Sequence, residues 1–312
     1  NDCSMCIISP KLVECASHPN IELLTLSELQ ALDGEVGRFK ATVLQHPRFI
    51  DREKCTGCGE CVTVCPIQLK NEFDEGLSSR KAAYKRYPQA VPGTYAIDKK
   101  GTSPCKTTCP AHISVQGYIA LVAQGKYREA LQLIKEENPL PAICGRVCHH
   151  PCESKCTRGQ VDEPVAIDFI KRFVADLDLR AETRYVPEIK AGHEEQVAVI
   201  GSGPAGLSCA YYLAVAGYRV TVFEKLPVLG GMLTVGIPSY RLARDIIEAE
   251  IHVIRDLGVE FRTGVDLGRD LTIAQLREQG YKAFFLAIGA HECKVLGVEG
   301  ENLEGVYPGT DF

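Results

Sequence analysis

Fifteen cysteines set the strongest constraint on this 312-residue chain, and thirteen of them lie before position 157. The tightest group is Cys55, Cys58, Cys61 and Cys65, in the run C-x2-C-x2-C-x3-C followed by a proline. This spacing is typical of loops that hold an iron–sulfur cluster through thiolates. A zinc site usually has two C-x2-C pairs separated by a dozen or more residues, which this run lacks. The sequence therefore predicts a ferredoxin-type 4Fe-4S segment at 51–100.

A second group of six cysteines follows in three C-x3-C pairs. Its members are Cys105, Cys109, Cys144, Cys148, Cys152 and Cys156. Six thiolates can complete one four-iron cluster with two left over, and buried thiols without a metal are the alternative. His149 and His150 lie in the same loop, where each is a candidate ligand or a solvated surface residue.

The remaining cysteines carry a weaker signal. Cys3 and Cys6 form a C-x2-C pair with Cys15 nearby, and three interpretations stay open: a redox dithiol, metal ligands completed from outside this chain, or buried thiols. Cys209 and Cys293 are predicted to be ordinary core or surface residues.

A glycine fingerprint at 201–206 satisfies G-x-G-x-x-G, with Gly201, Gly203 and Gly206 as its glycines and Pro204 and Ala205 between them. It follows a strand pattern at 196–200 and opens a helix pattern, the context that dinucleotide binding requires. Gly201 permits the turn, Gly203 lets a pyrophosphate approach the backbone and Gly206 allows close helix packing.

Two further features extend this nucleotide site. Glu224 ends the next predicted strand, where a carboxylate accepts hydrogen bonds from ribose hydroxyls. Gly230 and Gly231 follow soon after and indicate either a second close approach to the cofactor or a simple bend. FAD and NAD share this geometry, so the spacing alone does not distinguish them.

The pattern along the chain predicts an α/β protein in four parts. They are a partial flavoprotein-like β segment (1–50), the ferredoxin-like cluster segment (51–100), an all-α iron–sulfur domain (101–185) and a Rossmann-type FAD-binding domain (186–312). Within 51–100 we also expect one helix near 78–86. Periodicity is helical from 101 to 180 and βαβ after Pro187.

Composition excludes several classes of partner. The formal charge is -5 and the sequence pI is about 6.0, so we expect neither nucleic acid nor an anionic membrane as a partner. The longest apolar run is far too short to cross a bilayer, and no secretory signal is recognisable. Metal-type cysteine clusters favour a reducing compartment, so we expect a cytoplasmic protein. Because the first residue is Asn1, the chain can be a piece of something longer.

Residues 1–98 resemble the central part of heterodisulfide reductase A. The matching stretches are Asp2-Cys3-Ser4-Met5-Cys6, Ser9-Pro10-Lys11, His18-Pro19-Asn20-Ile21, the cluster run, Asn71-Glu72-Phe73-Asp74-Glu75-Gly76-Leu77 and Tyr87-Pro88-Gln89-Ala90-Val91-Pro92. This resemblance implies redox partner subunits of the heterodisulfide reductase, ferredoxin or hydrogenase type.

Residues 105–312 resemble the small subunit of glutamate synthase and the amino-terminal part of dihydropyrimidine dehydrogenase. The matching stretches are Cys109-Pro110-Ala111, Cys144-Gly145-Arg146-Val147-Cys148, Cys152-Glu153, Glu163-Pro164-Val165-Ala166-Ile167, the fingerprint, Gly230-Gly231-Met232, Gly236-Ile237-Pro238 and Ala287-Ile288-Gly289-Ala290. The resemblance implies FAD at the fingerprint and Glu224, with Gly231 and Gly289 near it, and clusters that exchange electrons with the flavin.

Three departures limit this second resemblance. The family carries a cysteine pair where this chain has Ile97 and Lys100, so one of its two clusters is expected to be absent or rebuilt. Lys171 occupies the position of a Gln or Glu ligand, and a protonated lysine cannot bind iron. The family's NAD(P)H-binding half is expected downstream of residue 312, so NAD(P)H binding needs a further domain.

The sequence thus predicts a flavin- and iron–sulfur-dependent oxidoreductase subunit, or a fragment of one. It relays electrons between a nicotinamide or other donor, FAD and 4Fe-4S clusters. Two alternatives remain: an electron-transfer module without catalysis, or a glutamate synthase small subunit that supplies electrons from NADPH.

Overall fold

The computed structural model describes residues 2–99, 101–190, 192–290 and 293–309, with side chains described from residue 6 onward. The chain divides into two compact units. The first comprises Asn1–Thr102 with Thr157–Glu163, and the second comprises Ser103–Cys156 with Pro164–Phe312. The finer division into four parts stays a prediction, and Lys100 lies outside the described residues.

In its described residues, the first unit combines two helices with three antiparallel strand pairs. Its elements in chain order are α1 (Asp2–Ser17), β1 (Ser27–Glu35), β2 (Arg38–Gln45), α2 (Glu60–Thr63), β3 (Gln68–Lys70), β4 (Ser79–Lys81), β5 (Ala83–Tyr84) and β6 (Ala96–Ile97). β1 pairs with β2, β3 with β4 and β5 with β6. The strands β1 and β2 lie within the β segment predicted at 1–50.

The helix predicted near 78–86 is wrong, because this segment forms β4 and β5. The chain turns between β3 and β4, where the Asn71 side chain accepts a hydrogen bond from the backbone N–H of Phe73. Arg80 of β4 forms ion pairs with Glu72 at 2.6 Å and Asp98 at 2.7 Å. These tertiary contacts fix an extended backbone that the local sequence pattern does not reveal.

The second unit begins with a helical region. Its helices are α3 (Pro104–Thr108), α4 (Val115–Ala123), α5 (Tyr127–Lys135), α6 (Pro141–Val147), α7 (Pro151–Ser154) and α8 (Ile167–Leu179). Gly125 separates α4 from α5 with φ 73°, a left-handed conformation that favours glycine. A buried core that includes Tyr118, Ile134 and Val174 holds the helices together, as their apolar periodicity predicts.

A parallel sheet with flanking helices completes the second unit. Its elements are β7 (Gln196–Ile200), α9 (Pro204–Val215), β8 (Arg219–Glu224), α10 (Met232–Val235), α11 (Arg244–Asp256), β9 (Glu260–Thr263), α12 (Ile273–Glu278) and β10 (Tyr281–Leu286). The strand order is β10-β7-β8-β9, and every pairing is parallel. This arrangement is consistent with a Rossmann-like fold.

Both faces of the parallel sheet are covered. Val199 and Val222 point into a core with Leu207 of α9 and Ile251 of α11. On the opposite face, Ile200 and Phe223 pack with Leu276 of α12. This double coverage explains why the strands read as continuous apolar runs.

None of the helices in the described ranges is long and apolar enough to cross a membrane.

Candidate functional site

Two glycines close the turn between β7 and α9. Gly201 has φ 104°, and a Cβ there would lie 2.3 Å from the carbonyl oxygen of Ala287. A Cβ on Gly206 would lie 1.9 Å from the carbonyl oxygen of Gly201. Only glycine fits these two positions, because the contacts are with backbone atoms that cannot move aside.

Gly203 differs from these two glycines in having room for a side chain, because a Cβ there would meet no described atom within 4 Å. It is the N-cap of α9, and no side chain caps the helix. The first-turn N–H groups of a helix have no intrahelical partner, and with the helix dipole they stabilise a phosphate. Gly231 packs against this turn, since a Cβ on it would lie 2.8 Å from the Cα of Gly203. The open space beside Gly203 therefore fits a pyrophosphate.

Glu224 lies at the end of β8 and faces the same turn. Its Oε2 accepts hydrogen bonds from the backbone N–H of Ser202 at 2.8 Å and from the Ser202 hydroxyl at 2.5 Å. Its Oε1 accepts from the backbone N–H of Leu226 at 2.8 Å. Since each carboxylate oxygen can accept two bonds, Oε1 can also accept one from a ribose hydroxyl.

The sequence did not identify Ser202, which occupies a variable position of the fingerprint. Its side chain is fully buried, and its hydroxyl also accepts a hydrogen bond from the backbone N–H of Gly230 at 3.1 Å. Ser202 thus joins the fingerprint turn, the acidic residue and the second glycine segment into one crevice.

The other predicted nucleotide residues lie at the same edge of the sheet. Pro204 and Ala205 are exposed in the first turn of α9. Gly289 follows β10 with φ 73°, two residues after the Ala287 backbone that packs against Gly201.

The cluster loop of the first unit brings three of its four thiols together. Two hydrogen bonds, first from the backbone N–H of Glu60 and then from Thr56, lower the pKa of the exposed Cys58. Burial raises the pKa of Cys61, and the neighbouring Cys55 and Cys58 thiols add to this rise. Cys65 instead directs its thiol to the carbonyl oxygen of Ile67 at 3.8 Å.

Two glycines bend this loop. Gly57 has φ 76° and Gly59 has φ 92°. A Cβ on Gly57 would lie 3.0 Å from the carbonyl oxygen of Gly93. Both angles lie in the left-handed region that favours glycine.

Helix turns position the six cysteines of the helical region. Cys105 and Cys109 span one turn of α3, and Cys144 and Cys148 span one turn of α6. In each pair the second cysteine is the C-cap, and its backbone N–H donates to the first cysteine's carbonyl, at 3.3 Å and 3.0 Å. The C-x3-C spacing therefore places both thiols of a pair on one helix face.

Burial gives these thiols unusual acidities. It raises the pKa of Cys152 to about 11, and the neighbouring Cys109 adds to the rise while the Lys171 ammonium opposes it. Burial also raises the pKa of Cys144, again opposed by Lys171. Cys148 lies within electrostatic reach of both Cys144 and Cys152. Thiols from α3, α6 and α7 thus lie in one buried region.

Cys105 and Cys156 complete this group at its edges. Cys105 is buried, and its thiol lies 3.4 Å from the hydroxyl of Ser103. Cys156 is half-buried directly after α7. His149 is exposed, and His150 approaches Glu153 at 3.8 Å.

The isolated cysteines occupy varied surroundings. Cys3 lies in α1, but its side chain is outside the described part, and Cys6 and Cys15 are exposed. The three interpretations for this group stay open. Cys209 is half-buried and Cys293 is exposed.

The donor chemistry of both cysteine groups suits iron–sulfur clusters. The cysteines of both groups are free thiols, and such clusters take thiolates as ligands. Within the part of the chain that the structure describes, no three His, Cys, Asp or Glu side chains already surround a metal-sized space.

Comparison with known families gives three matches. Residues 48–68 match the 4Fe-4S binding domain, and residues 99–183 match dihydropyrimidine dehydrogenase domain II, 4Fe-4S cluster. Residues 195–310 match the pyridine nucleotide-disulphide oxidoreductase domain. These regions coincide with the cluster loop, the helical cysteine region and the nucleotide crevice.

Curated relatives share much of this chain. The β subunit of an NADP(+)-dependent formate dehydrogenase from Moorella thermoacetica is 46% identical over 68% of this chain and 33% of its own length. The NADPH-Fe(3+) oxidoreductase subunit β of Geobacter sulfurreducens is 42% identical over 80% of this chain and 36% of its own. The glutamate synthase [NADPH] small chain of Halomonas elongata is 36% identical over 68% and 45%.

This chain therefore covers less than half the length of each of these relatives. The matches support the resemblance to the glutamate synthase small chain and dihydropyrimidine dehydrogenase, while the resemblance to heterodisulfide reductase A stays a prediction. In domain content, this chain combines two 4Fe-4S binding regions with a pyridine nucleotide-disulphide oxidoreductase domain.

Proposed function

We propose that this chain relays electrons between NADPH, FAD and 4Fe-4S clusters within a larger redox enzyme. Three relatives that carry NADP or NADPH in their names support this donor. Two of them are β subunits and one is a small chain, which supports partner redox subunits. We place the nicotinamide site in a further domain, because the fingerprint crevice is assigned to FAD.

The observation that carries this proposal is the shared core of the helical cysteine region and the nucleotide fold. Leu140 and Ile143, which flank the start of α6, pack in the same core as Val199 and Val222 of the sheet. The backbone N–H of Ala142 donates to Glu250 of α11 at 3.0 Å. Electron transfer depends on a fixed separation of donor and acceptor. This shared core therefore suits a relay between thiolate-held clusters and a nucleotide cofactor.

The residues of the crevice would hold FAD in the following way. The first-turn N–H groups of α9 bind the pyrophosphate beside Gly203, and Glu224 accepts from the ribose. When bound, FAD exchanges an electron pair with a nicotinamide and single electrons with clusters. The chain's own groups orient the cofactor.

For the clusters, we propose Cys55, Cys58, Cys61 and Cys65 as the ligands of one. Four of the six cysteines at 105–156 would hold a second. The thiols that interact with one another, Cys109, Cys144, Cys148 and Cys152, are the favoured set.

Anaerobic purification with cofactor analysis tests this proposal. We expect FAD, iron and acid-labile sulfide in the same polypeptide, with clusters that become EPR-active on reduction by dithionite. Adding NADPH or NADH with a dye acceptor then separates two classes, since turnover indicates an enzyme and its absence an electron-transfer module. Colourless protein that lacks labile sulfide and contains zinc would refute the proposal.

Glutamate synthase small chain is the second candidate, because the Halomonas relative carries this name. In that case the chain would deliver electrons to a large amidotransferase subunit. Co-purification of such a subunit from the native cells would favour it. Recovery with a different redox subunit would favour the main proposal.

A further inference from the structure

Lys171 is a buried cation in the cysteine region. It lies in α8 with only 6% of its surface exposed. Its Nζ is 2.7 Å from Oδ1 of Asp168, one helix turn away and also buried. Lysine is almost never this buried unless its charge is compensated, since removing an ammonium from water is costly.

Helix contacts place Lys171 among the thiols. Helix α8 packs closely on α6, because a Cβ on Gly145 would lie 2.7 Å from the Cβ of Arg172. Helix α8 is also tied to α7, since the backbone N–H of Asp168 donates to Glu153 Oε1 at 2.8 Å. Lys171 precedes Arg172 in the chain, and Gly145 and Glu153 are each the immediate neighbour of a cysteine.

Charged and titratable groups from three helices interact with Lys171. Asp168 faces it from its own helix, Cys144 and Cys148 face it from α6, and Cys152 interacts with it from α7. An ammonium has three N–H donors, and Asp168 accounts for one carboxylate partner. Lys171 therefore interacts electrostatically with thiols on both α6 and α7.

We propose that Lys171 is a positioning residue that stabilises negative charge on a cluster held by these cysteines and so raises its reduction potential. This inference rests on the proposed function, which supplies the cluster. Reduction adds one electron from a donor such as the flavin, no proton moves, and the net charge of the cluster becomes more negative by one unit. Net charge, burial and hydrogen bonds to sulfur are the protein's main controls on such a potential.

The sign of the effect follows from electrostatics. A fixed positive charge beside the thiolates favours the reduced state more than the oxidised state, because the reduced state carries the larger negative charge. Replacing Lys171 with an uncharged residue removes this charge and leaves the Asp168 carboxylate uncompensated. Both changes disfavour reduction.

Redox titration of the cofactor-containing protein tests the inference. Lys171→Met is compared with Lys126→Met, a control at an exposed lysine between α4 and α5. Each cluster's midpoint potential is measured by EPR under anaerobic conditions. We expect Lys171→Met to shift one cluster to a more negative potential at unchanged iron and sulfide content. The other cluster, and both clusters of Lys126→Met, should keep the wild-type values.

An unchanged potential in Lys171→Met, with the cluster retained, would overturn the inference. So would a directly coordinated nitrogen in the wild-type EPR spectrum that disappears in the variant, because Lys171 would then be a ligand. Should Lys171→Met lose the cluster, Lys171→Arg and Lys171→Gln decide: retention in the arginine variant alone supports the role of charge, and loss in both refutes it.

The proposed function fails separately from this inference. A variant in which Cys55 and Cys58 are both serine removes the loop cluster. If the remaining protein then shows no iron–sulfur signal at all, the helical region holds no cluster, and the proposed function fails whatever the Lys171 variants do.

Discussion

Individual thiols of this chain differ in acidity because their surroundings differ. Cys58 is exposed, and hydrogen bonds to its sulfur lower its pKa. Cys152 is buried, and its pKa is raised to about 11. The thiolate is the nucleophile in alkylation. A lowered pKa and solvent access therefore both favour alkylation of Cys58, whereas a raised pKa and burial both disfavour alkylation of Cys152.

We therefore predict an order of alkylation in protein whose clusters have been removed anaerobically. At pH about 8, iodoacetamide should modify Cys58 well before Cys152, because only Cys58 combines access with an appreciable thiolate fraction. Labelling of Cys152 should increase as the pH rises toward 11. Peptide mass spectrometry over time measures both rates, and the exposed Cys15 serves as a reference for solvent access. Equal rates at Cys58 and Cys152 would contradict the described environments.

A second residue-scale prediction concerns Cys58→Ser. We expect the variant to lose iron and sulfide corresponding to one cluster and to keep its flavin, because the loop and the nucleotide crevice belong to different compact units. Iron, sulfide and flavin assays on the same sample measure this. Cys209→Ser, at a half-buried thiol in α9, is the matched control and should retain both cofactors. Flavin loss in parallel with iron loss would show that the two sites are coupled.

At the scale of elements, the β7–α9 turn separates a binding role of glycine from a packing role. Gly203→Val should leave the fold intact, since its Cβ faces open space, but should empty the flavin site by occupying that space. Gly206→Ala should instead destabilise the protein by about 1–3 kcal/mol, because its Cβ collides with the Gly201 carbonyl.

Flavin absorbance and thermal unfolding measured on both variants distinguish the two roles. Gly192→Ala is the control for adding a Cβ without a collision, because no described atom lies within 4 Å of a Cβ there. A Gly203→Val protein that stays yellow would refute the assignment of this crevice to FAD.

Elements with a strong period were predictable from the sequence, whereas those set by distant contacts were not. Strand β7 with helix α9, and helix α4 with helix α5, are predictable from their runs of apolar residues and from the glycines at their ends. β4 and β5 were missed because Arg80 finds Glu72 and Asp98 only in the folded chain. The sequence did not reveal the roles of Ser202 and Lys171 for the same reason. Ser202 acts through its burial beside Glu224, and Lys171 through its burial beside the thiols.

At the scale of the whole second unit, the cysteine region and the nucleotide fold meet through a buried polar contact. Nζ of Lys135 in α5 lies 3.9 Å from Oε2 of Glu250 in α11, with each side chain 1% exposed. Neither of these two atoms has a hydrogen-bond partner. Burial lowers the pKa of Lys135 and raises the pKa of Glu250. The contact thus spans the two regions between which electrons are proposed to pass.

Breaking the Lys135–Glu250 pair should lower the stability of the protein, and removing both charges should restore it. Lys135→Met leaves the buried Glu250 carboxylate without its ammonium partner and should cost about 3–5 kcal/mol of stability. Lys135→Met with Glu250→Gln should recover most of the loss, because the glutamine carbonyl can still accept from the Ala142 N–H. Lys11→Met, at an exposed ion pair with Glu14, should change stability by less than about 0.5 kcal/mol. Thermal unfolding ranks the three variants, and a double variant no more stable than Lys135→Met would show that the lysine contributes through packing rather than through its charge.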